Sequence, residues 1–234
     1  MMLSRRGFVA SVAGGAVATR VWAAAAPKEA GLASEGLLAG RPGFQPRTVM
    51  PLPHDELPGF LSRARLAAHH EEYVRDVDKL QAVEARLRDP RLGDAEYADA
   101  RRAQVAAANA VLLHELYFGN LAPAKVELPR YVAGHLREHM GEQDAWVADF
   151  TRCALAAKRW AVLVYDPYDD RWHDVVMDDD AGGVWLGANP LVVCDVAEHA
   201  WATDHGSRAE YVAKFVERVD WNEVARRYKA VDRM

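Results

Sequence analysis

The sequence has few cysteines and no long apolar run, and these absences exclude several classes of protein. Only two cysteines occur among the 234 residues, Cys153 and Cys194, which excludes a disulfide scaffold and a cysteine-rich zinc module. No run of about 18 apolar residues occurs, so no membrane span is expected. Basic residues are also in deficit, with 29 Lys and Arg against 34 Asp and Glu. This balance argues against nucleic acid as the main partner, because phosphate binding requires clustered Lys and Arg.

The first 25 residues have the pattern of an export signal. Residues 4–9 read S-R-R-G-F-V, and a weakly apolar stretch rich in Gly and Ala follows, ending in small residues with A-x-A spacing. Such a sequence predicts a secretory signal, and its start resembles the twin-arginine signal of bacteria. We therefore predict a signal peptide over residues 1–25, cleavage near Ala25 and a periplasmic protein. An ordinary secretory signal with two chance arginines is the alternative.

The next part of the chain predicts an arm and then a pair of helices. Residues 26–48 contain Gly, Pro and Ala with little periodicity, which is typical of a tether. Apolar residues recur at helical spacing from Leu57 to Leu87, and Pro90 ends that pattern. Asp94 is a candidate N-cap for a second long helix that stops near Gly119. Residues 49–122 are therefore predicted to form an antiparallel helical hairpin.

The remainder, residues 123–234, predicts a mixed domain. Helices are expected near residues 130–140 and 143–157, and strands at 159–165, 171–177 and 191–195. Two further helices have capping-box spacing after Ser207 and Asp220. The predicted fold class is thus α+β, an N-terminal helical hairpin followed by an α/β domain whose three-stranded sheet is flanked by helices.

Two pairs of residues have spacings that suit metal binding. Asp195 directly follows an apolar strand, and His199 lies four residues on, so both could reach one ion of Fe, Mn or Zn. The alternative is a helix-capping aspartate with a surface histidine one turn later. His135 and His139 are also four residues apart on one predicted helix, and we expect them to form a surface pair.

The segment around Asp195 also resembles a known family. Residues 195–201 (DVAEHAW) are similar to the D-V-W-E-H-A-Y signature of iron/manganese superoxide dismutases. Four other segments agree with that family in order and spacing: residues 50–55 (MPLPHD) resemble its L-P-Y-D, residues 69–74 (HHEEYV) its H-H-x-x-Y-V, residues 114–121 (HELYFGNL) its H-x-x-F-W-x-N-L, and residues 219–228 (VDWNEVARRY) its I-N-W-x-x-V-x-x-R-Y. The resemblance spans essentially the whole chain after the predicted arm.

The resemblance implies a fold, a reaction and a metal site. The family fold is a helical hairpin followed by a three-stranded domain, and its reaction is the dismutation of superoxide by one Fe or Mn ion per chain. Three His and one Asp hold that ion. By position, His114, Asp195 and His199 are three of the four ligands, and the fourth falls four residues before His69, at Arg65.

Arg65 departs from the family pattern, because a guanidinium has no free lone pair to donate to a metal. Three arrangements remain open. Arg65 could take the place of the metal and pair with Asp195, it could turn outward and leave a three-ligand site, or His69 could move in as a substitute. Arg65, His69 and Tyr73 lie on one stripe of the predicted helix.

The resemblance also assigns residues around the ligands. Tyr73 and His69 would relay protons and gate entry, and Trp160 matches a family tryptophan beside the metal. Ala197 stands where the family has a signature tryptophan. Glu198 lies where family members bridge to a histidine across a dimer interface, so a homodimer is expected.

A glutamine that binds the metal-bound water in the family is missing here. Its two possible positions fall near Ala110 and in residues 177–180 (MDDD). An aspartate of that run could replace the glutamine or reach the metal, or the run could be a solvated loop.

Three functions follow from these observations. The first is a periplasmic superoxide dismutase with His114, Asp195 and His199 as ligands. The second is a non-dismutase protein that binds or delivers a metal ion, zinc included. The third is a metal-free descendant, held together by an Arg65–Asp195 pair, that binds a partner through its surface.

Overall fold

The computed structural model describes residues 47–232. The predicted signal peptide and most of the predicted arm lie outside the described residues. The described part forms seven helices and three strands: α1 (Arg63–Leu87), α2 (Asp94–Gly119), α3 (Arg130–Met140), α4 (Gln143–Ala156), β1 (Trp160–Asp166), β2 (Arg171–Met177), β3 (Asn189–Asp195), α5 (Glu198–Trp201), α6 (Arg208–Glu217) and α7 (Trp221–Val231). No helix in residues 47–232 is long and apolar enough to span a bilayer.

Helix α1 begins later than its apolar pattern suggests. Leu57 and Leu61 form an isolated bridge with each other, and Gly59 between them has a φ of 75°. A helix cannot pass through that conformation, so the apolar side chains of this stretch reach the core from a turn. Ser62 is the N-cap, and its hydroxyl accepts a hydrogen bond from the Arg65 amide at 3.1 Å. This start fixes which residues of α1 face inward.

Helices α1 and α2 form the predicted antiparallel hairpin. Arg86 of α1 pairs with Glu96 of α2 near the connection, while Tyr73 bonds to Glu115 further along both helices. The buried residues of α1 recur every three or four positions, as expected for one apolar face, and they include His69.

The three strands form an antiparallel sheet in the order β2-β1-β3. All seven residues of the central strand β1 are buried. Its first six residues, from Trp160 to Tyr165, form a continuous apolar run in the sequence. Trp160, which begins β1, is paired with Asp195, which ends β3. This register places the residues just before β1 beside the residues just after β3.

A buried arginine joins the hairpin to the sheet. Arg227 of α7 donates to the Leu116 carbonyl of α2 at 2.8 Å and to the Leu191 carbonyl of β3 at 3.0 Å. It also pairs with Glu223 at 2.9 Å. Because α2 and β3 both carry candidate ligands, this contact helps to fix the distance between them.

The predicted helices and strands are confirmed with small shifts at their ends. Strand β1 begins and ends one residue later than predicted, and β3 begins at Asn189 rather than at residue 191. Asp94 is the first residue of α2 and Gly93 is its N-cap. The short helix α5 was expected only in the alternative in which Asp195 caps a helix, and its N-cap is Ala197.

Candidate metal centre

Four side chains from four different elements converge in the interior of the protein. His69 of α1, His114 of α2, Asp195 at the end of β3 and His199 of α5 each offer one ligand atom, and all four atoms lie within 4.8 Å of one another. The Asp195 Oδ2 atom lies 3.1 Å from His69 Nε2 and 3.0 Å from His199 Nε2. The first three side chains are buried, and 24% of the His199 side chain is exposed. We call these residues the four-donor group.

His114 presents a lone pair that no group in residues 47–232 uses. Its Nδ1 lies 2.8 Å from the Ala110 carbonyl oxygen. A carbonyl can only accept, so Nδ1 carries the proton and Nε2 carries the lone pair. The Nε2 atom is buried and has no hydrogen-bond partner among the described residues. Burial, together with the nearby His69, lowers the pKa of His114 to about 4. The imidazole is therefore neutral at neutral pH and able to donate to a metal.

Asp195 is ionised at the centre of the group. Burial acts to raise its pKa, but hydrogen bonds with His199 and His69 and the charge of Arg159 outweigh that effect. The pKa of Asp195 is consequently held well below its usual range. Its Oδ1 atom accepts the Ala197 amide at 2.9 Å, which leaves Oδ2 directed at the histidines.

The donor set fits a first-row transition metal. Neutral imidazoles with one carboxylate suit Fe, Mn or Zn. A buried polar atom without a partner is costly, typically about 1–3 kcal/mol, and a metal bound to His114 Nε2 would remove that cost. Burial lowers the pKa of His69 as well, so this second imidazole is also suited to donate.

Arg65 does not join the four-donor group. It forms no ion pair with any residue from 47 to 232, and its Nε atom is buried without a hydrogen-bond partner there. Asp195 is paired with His69 and His199 instead. His69, and not Arg65, lies with the other three donors, while a ligand role for His69 stays a prediction.

A different arginine enters the group. Arg159, the residue before β1, places its NH1 atom 2.7 Å from His199 Nε2 and 3.3 Å from Asp195 Oδ2. Its guanidinium carbon lies 4.8 Å from the centre of the Trp160 ring. Sequence reasoning missed Arg159, because its position depends on the register that sets Trp160 opposite Asp195.

Asp180, the last residue of the segment at residues 177–180, also lies beside the site. Asp180 Oδ1 accepts a hydrogen bond from Trp160 Nε1 at 2.7 Å, and its carbonyl accepts one from Asn109. The same oxygen lies 3.6 Å from Arg159 Nε. Asp180 thus lies beside the predicted Trp160, whose ring meets the His114 ring edge-on at 5.1 Å. Asp180 is thus partly buried at the site, whereas Asp178 and Asp179 are exposed, as expected for a solvated loop.

The other predicted residues surround the group in different ways. The Tyr73 hydroxyl donates to Glu115 at 2.7 Å and accepts the Met50 amide, and burial raises its pKa well above the usual value. Ala197 serves through its backbone amide alone, and Glu198 is exposed in the single chain. The proton relay of Tyr73 and the dimer contact of Glu198 stay predictions.

Glu72 is a further carboxylate beside the group that was not predicted. Its Oε2 atom lies 3.3 Å from His199 Nε2. In the sequence, Glu72 is distinguished only by its position three residues after His69, which places the two side chains on neighbouring turns of α1.

The second histidine pair differs from expectation. His135, Glu138 and His139 lie close enough to share an ion, yet only 3% of the His139 side chain is exposed. His135 Nδ1 lies 3.2 Å from the Tyr228 hydroxyl, and His139 packs edge-on against Trp172. A surface pair was the wrong prediction for His139, because the face of α3 that carries it packs on β2.

Comparisons with known proteins all point to the same family. Residues 129–227 match the family model described as iron/manganese superoxide dismutases, C-terminal domain. The chain is 33% identical over 186 residues to a manganese superoxide dismutase of Haloferax volcanii, which covers 77% of this chain and 93% of the relative. It is 31% identical over 174 residues to an iron superoxide dismutase of Aquifex aeolicus, covering 69% of this chain and 79% of the relative.

Proposed function

Since the chain belongs to the iron/manganese superoxide dismutase family, we propose that it binds one Mn or Fe ion in the four-donor group and catalyses the dismutation of superoxide. The observation that carries this proposal is the convergence of four donors on one point, with the buried His114 Nε2 lone pair left without a partner in residues 47–232. Such a lone pair is what a metal would satisfy.

The residues of the group have separate parts in this proposal. The nitrogens of His69, His114 and His199 and the Oδ2 atom of Asp195 would hold the ion. When bound, the metal supplies one-electron chemistry by alternating between its divalent and trivalent states. Asp195 contributes the only negative charge within the group, which favours the cation. The Ala197 amide and the Ala110 carbonyl hold the ligands in orientation, a contribution that commonly changes metal affinity or activity by about 10–100-fold.

Arg159 favours a second candidate function. Its guanidinium contacts two members of the group, and the Asp180 carboxylate lies beside it. These charged neighbours would change the redox properties of a bound metal. A protein that binds or delivers a metal ion without dismutation, Zn included, is therefore the alternative. A metal-free role through an Arg65–Asp195 pair has no support, because Asp195 pairs with other residues.

Export and assembly extend the proposal. We propose that residues 1–25 direct twin-arginine export, with cleavage near Ala25, and that the mature protein functions in the periplasm, where its substrate would be superoxide. A homodimer that brings Glu198 to its partner chain is proposed with it. Export is tested by changing Arg5 and Arg6 to lysine, which should keep the precursor in the cytoplasm; continued export would point to an ordinary secretory signal.

The proposed reaction is tested by loading the protein separately with Mn(II) and Fe(II) and measuring superoxide removal. His114→Ala should lose metal and activity together, while His54→Ala, a histidine outside the four-donor group, should keep both. Metal bound at the group without superoxide removal would overturn the dismutase and support the alternative. No metal in the wild-type protein would overturn both.

A further inference from the structure

Arg159 makes contacts that a metal ligand cannot share. A guanidinium carries a positive charge and has no lone pair to give to a metal. Arg159 NH1 lies 2.7 Å from His199 Nε2 and 3.2 Å from His199 Nδ1, so it fills the approach that a metal would use to reach this imidazole. The same NH1 atom lies 3.3 Å from the Asp195 oxygen that faces the group. Arg159 and a metal therefore compete for the same two residues.

The charges lead to the same conclusion. Asp195 is a buried anion, and the Arg159 side chain, 18% exposed, is the cation that lies against it among the described residues. A buried anion is strongly destabilising without a compensating charge. Arg159 thus supplies a positive charge at the place where a bound metal ion would supply one. A metal cation at the group would repel the guanidinium at such short range.

Asp180 offers Arg159 a second position. Its Oδ1 atom is already 3.6 Å from Arg159 Nε, and it is held in place by Trp160 Nε1 at 2.7 Å. The Asn109 side chain fixes the backbone of the same residue. A small rotation of the guanidinium away from His199 would keep it paired with this fixed carboxylate and stacked on the Trp160 ring.

We propose that Arg159 is an internal competitor of the metal: it occupies His199 and Asp195 in the metal-free protein and moves onto Asp180 when a metal binds. The inference rests on the proposed metal site. It adds that the metal affinity depends on whether the Arg159 guanidinium pairs with the carboxylate of Asp195 or with that of Asp180. The metal-free chain would stay folded, and the metal would be exchangeable.

The test compares Arg159→Met with Lys158→Met. Lys158 is the neighbouring residue, and its side chain is 77% exposed and pairs with Asp178, so its loss removes the same charge away from the group. The Mn(II) dissociation constant is measured by competition with a chelator, and the melting temperature is measured without metal. Arg159→Met should bind Mn(II) about tenfold or more tightly and melt at a lower temperature without metal. Lys158→Met should change neither.

A second variant tests the alternative position. Asp180→Asn should weaken Mn(II) binding, and it should weaken it less when Arg159 is already methionine, because the guanidinium no longer needs a second partner. Arg159→Gln replaces the methionine variant if that variant does not fold without metal.

The outcomes separate this inference from the proposed function. If Arg159→Met binds Mn(II) no more tightly than the wild type, Arg159 is not a competitor, while the metal site stands. Equal effects of Asp180→Asn in both backgrounds would also overturn the inference. If neither the wild type nor Arg159→Met binds Mn(II), the proposed metal site fails, and the inference fails with it.

Discussion

Replacing Arg227 with methionine is expected to destabilise the protein strongly, although this residue lies outside the four-donor group. The guanidinium donates to the carbonyls of Leu116 and Leu191 and pairs with Glu223. Methionine fills a similar volume but leaves both carbonyls without these bonds in a buried environment. Removing one partner of a buried ion pair typically costs about 3–5 kcal/mol. Glu223 keeps its pair with Arg226 in this variant, so we expect a loss at the lower end of that range, about 3 kcal/mol.

Arg226→Met is the matched control for this prediction. Arg226 pairs with the same Glu223 carboxylate, but 42% of its side chain is exposed. An exposed pair of this kind contributes about 1 kcal/mol or less. The free energy of unfolding is measured for both variants by urea denaturation in the absence of metal. A loss for Arg227→Met no larger than that for Arg226→Met would refute the reasoning. Because Leu116 lies two residues after His114 and Leu191 begins the buried part of β3, Arg227→Met should also weaken metal binding.

The other predictions concern one buried acid, one helix cap and one glycine. Burial and the charge of Asp149 raise the pKa of Asp174 to about 8, against an ordinary value of 3.8, so the folded protein keeps a proton that the unfolded chain releases. The free energy of unfolding should therefore fall as the pH rises between these two values. Asp174→Asn should remove most of this dependence on pH and raise the free energy of unfolding by ~2–4 kcal/mol at pH 8, measured by urea denaturation; an unchanged dependence on pH would contradict this. Ser62→Ala should cost about 1 kcal/mol of unfolding free energy, since the N-cap bond of α1 is lost, and a loss near zero would argue against Ser62 as the start of α1. Gly183→Ala should lower the melting temperature, because φ is 115° and an added Cβ would clash with Met177 Cγ; an unaltered melting temperature would count against that loop conformation.

Much of the fold was predictable because its signals are local. The apolar spacing of α1 and α2 and the apolar run at the start of β1 each lie within one segment of the chain. The capping boxes at Ser207 and Asp220 gave the starts of α6 and α7 for the same reason. The start of α1 was harder, because the apolar side chains of Leu57 and Leu61 continue the helical spacing although they belong to a turn.

The composition of the candidate site was only partly predictable. His114, Asp195 and His199 follow from motifs, and the structure brings them together. The stripe containing Arg65 and His69 offered two candidates one turn apart, and the choice depends on which position of α1 packs beside Asp195. Spacing alone does not determine that position.

Arg159 and Asp180 could not be placed from spacing at all. Their positions depend on the pairing of β1 with β3 and on the Trp160 hydrogen bond to Asp180. Both contacts join parts of the chain that are distant in sequence. The resulting pair of charges beside the four-donor group is a property of the folded chain, and it is the feature that most distinguishes the two candidate functions.

In the metal site that we propose, His69, and not Arg65, supplies the fourth ligand. This assignment is tested most directly by the metal content of the wild-type protein, His69→Ala and Arg65→Ala after each is loaded with Mn(II) and passed through a desalting column. Wild type and Arg65→Ala should retain about one ion per chain, and His69→Ala should retain almost none. Loss of the metal in Arg65→Ala with retention in His69→Ala, or a wild-type protein without metal, would contradict this assignment.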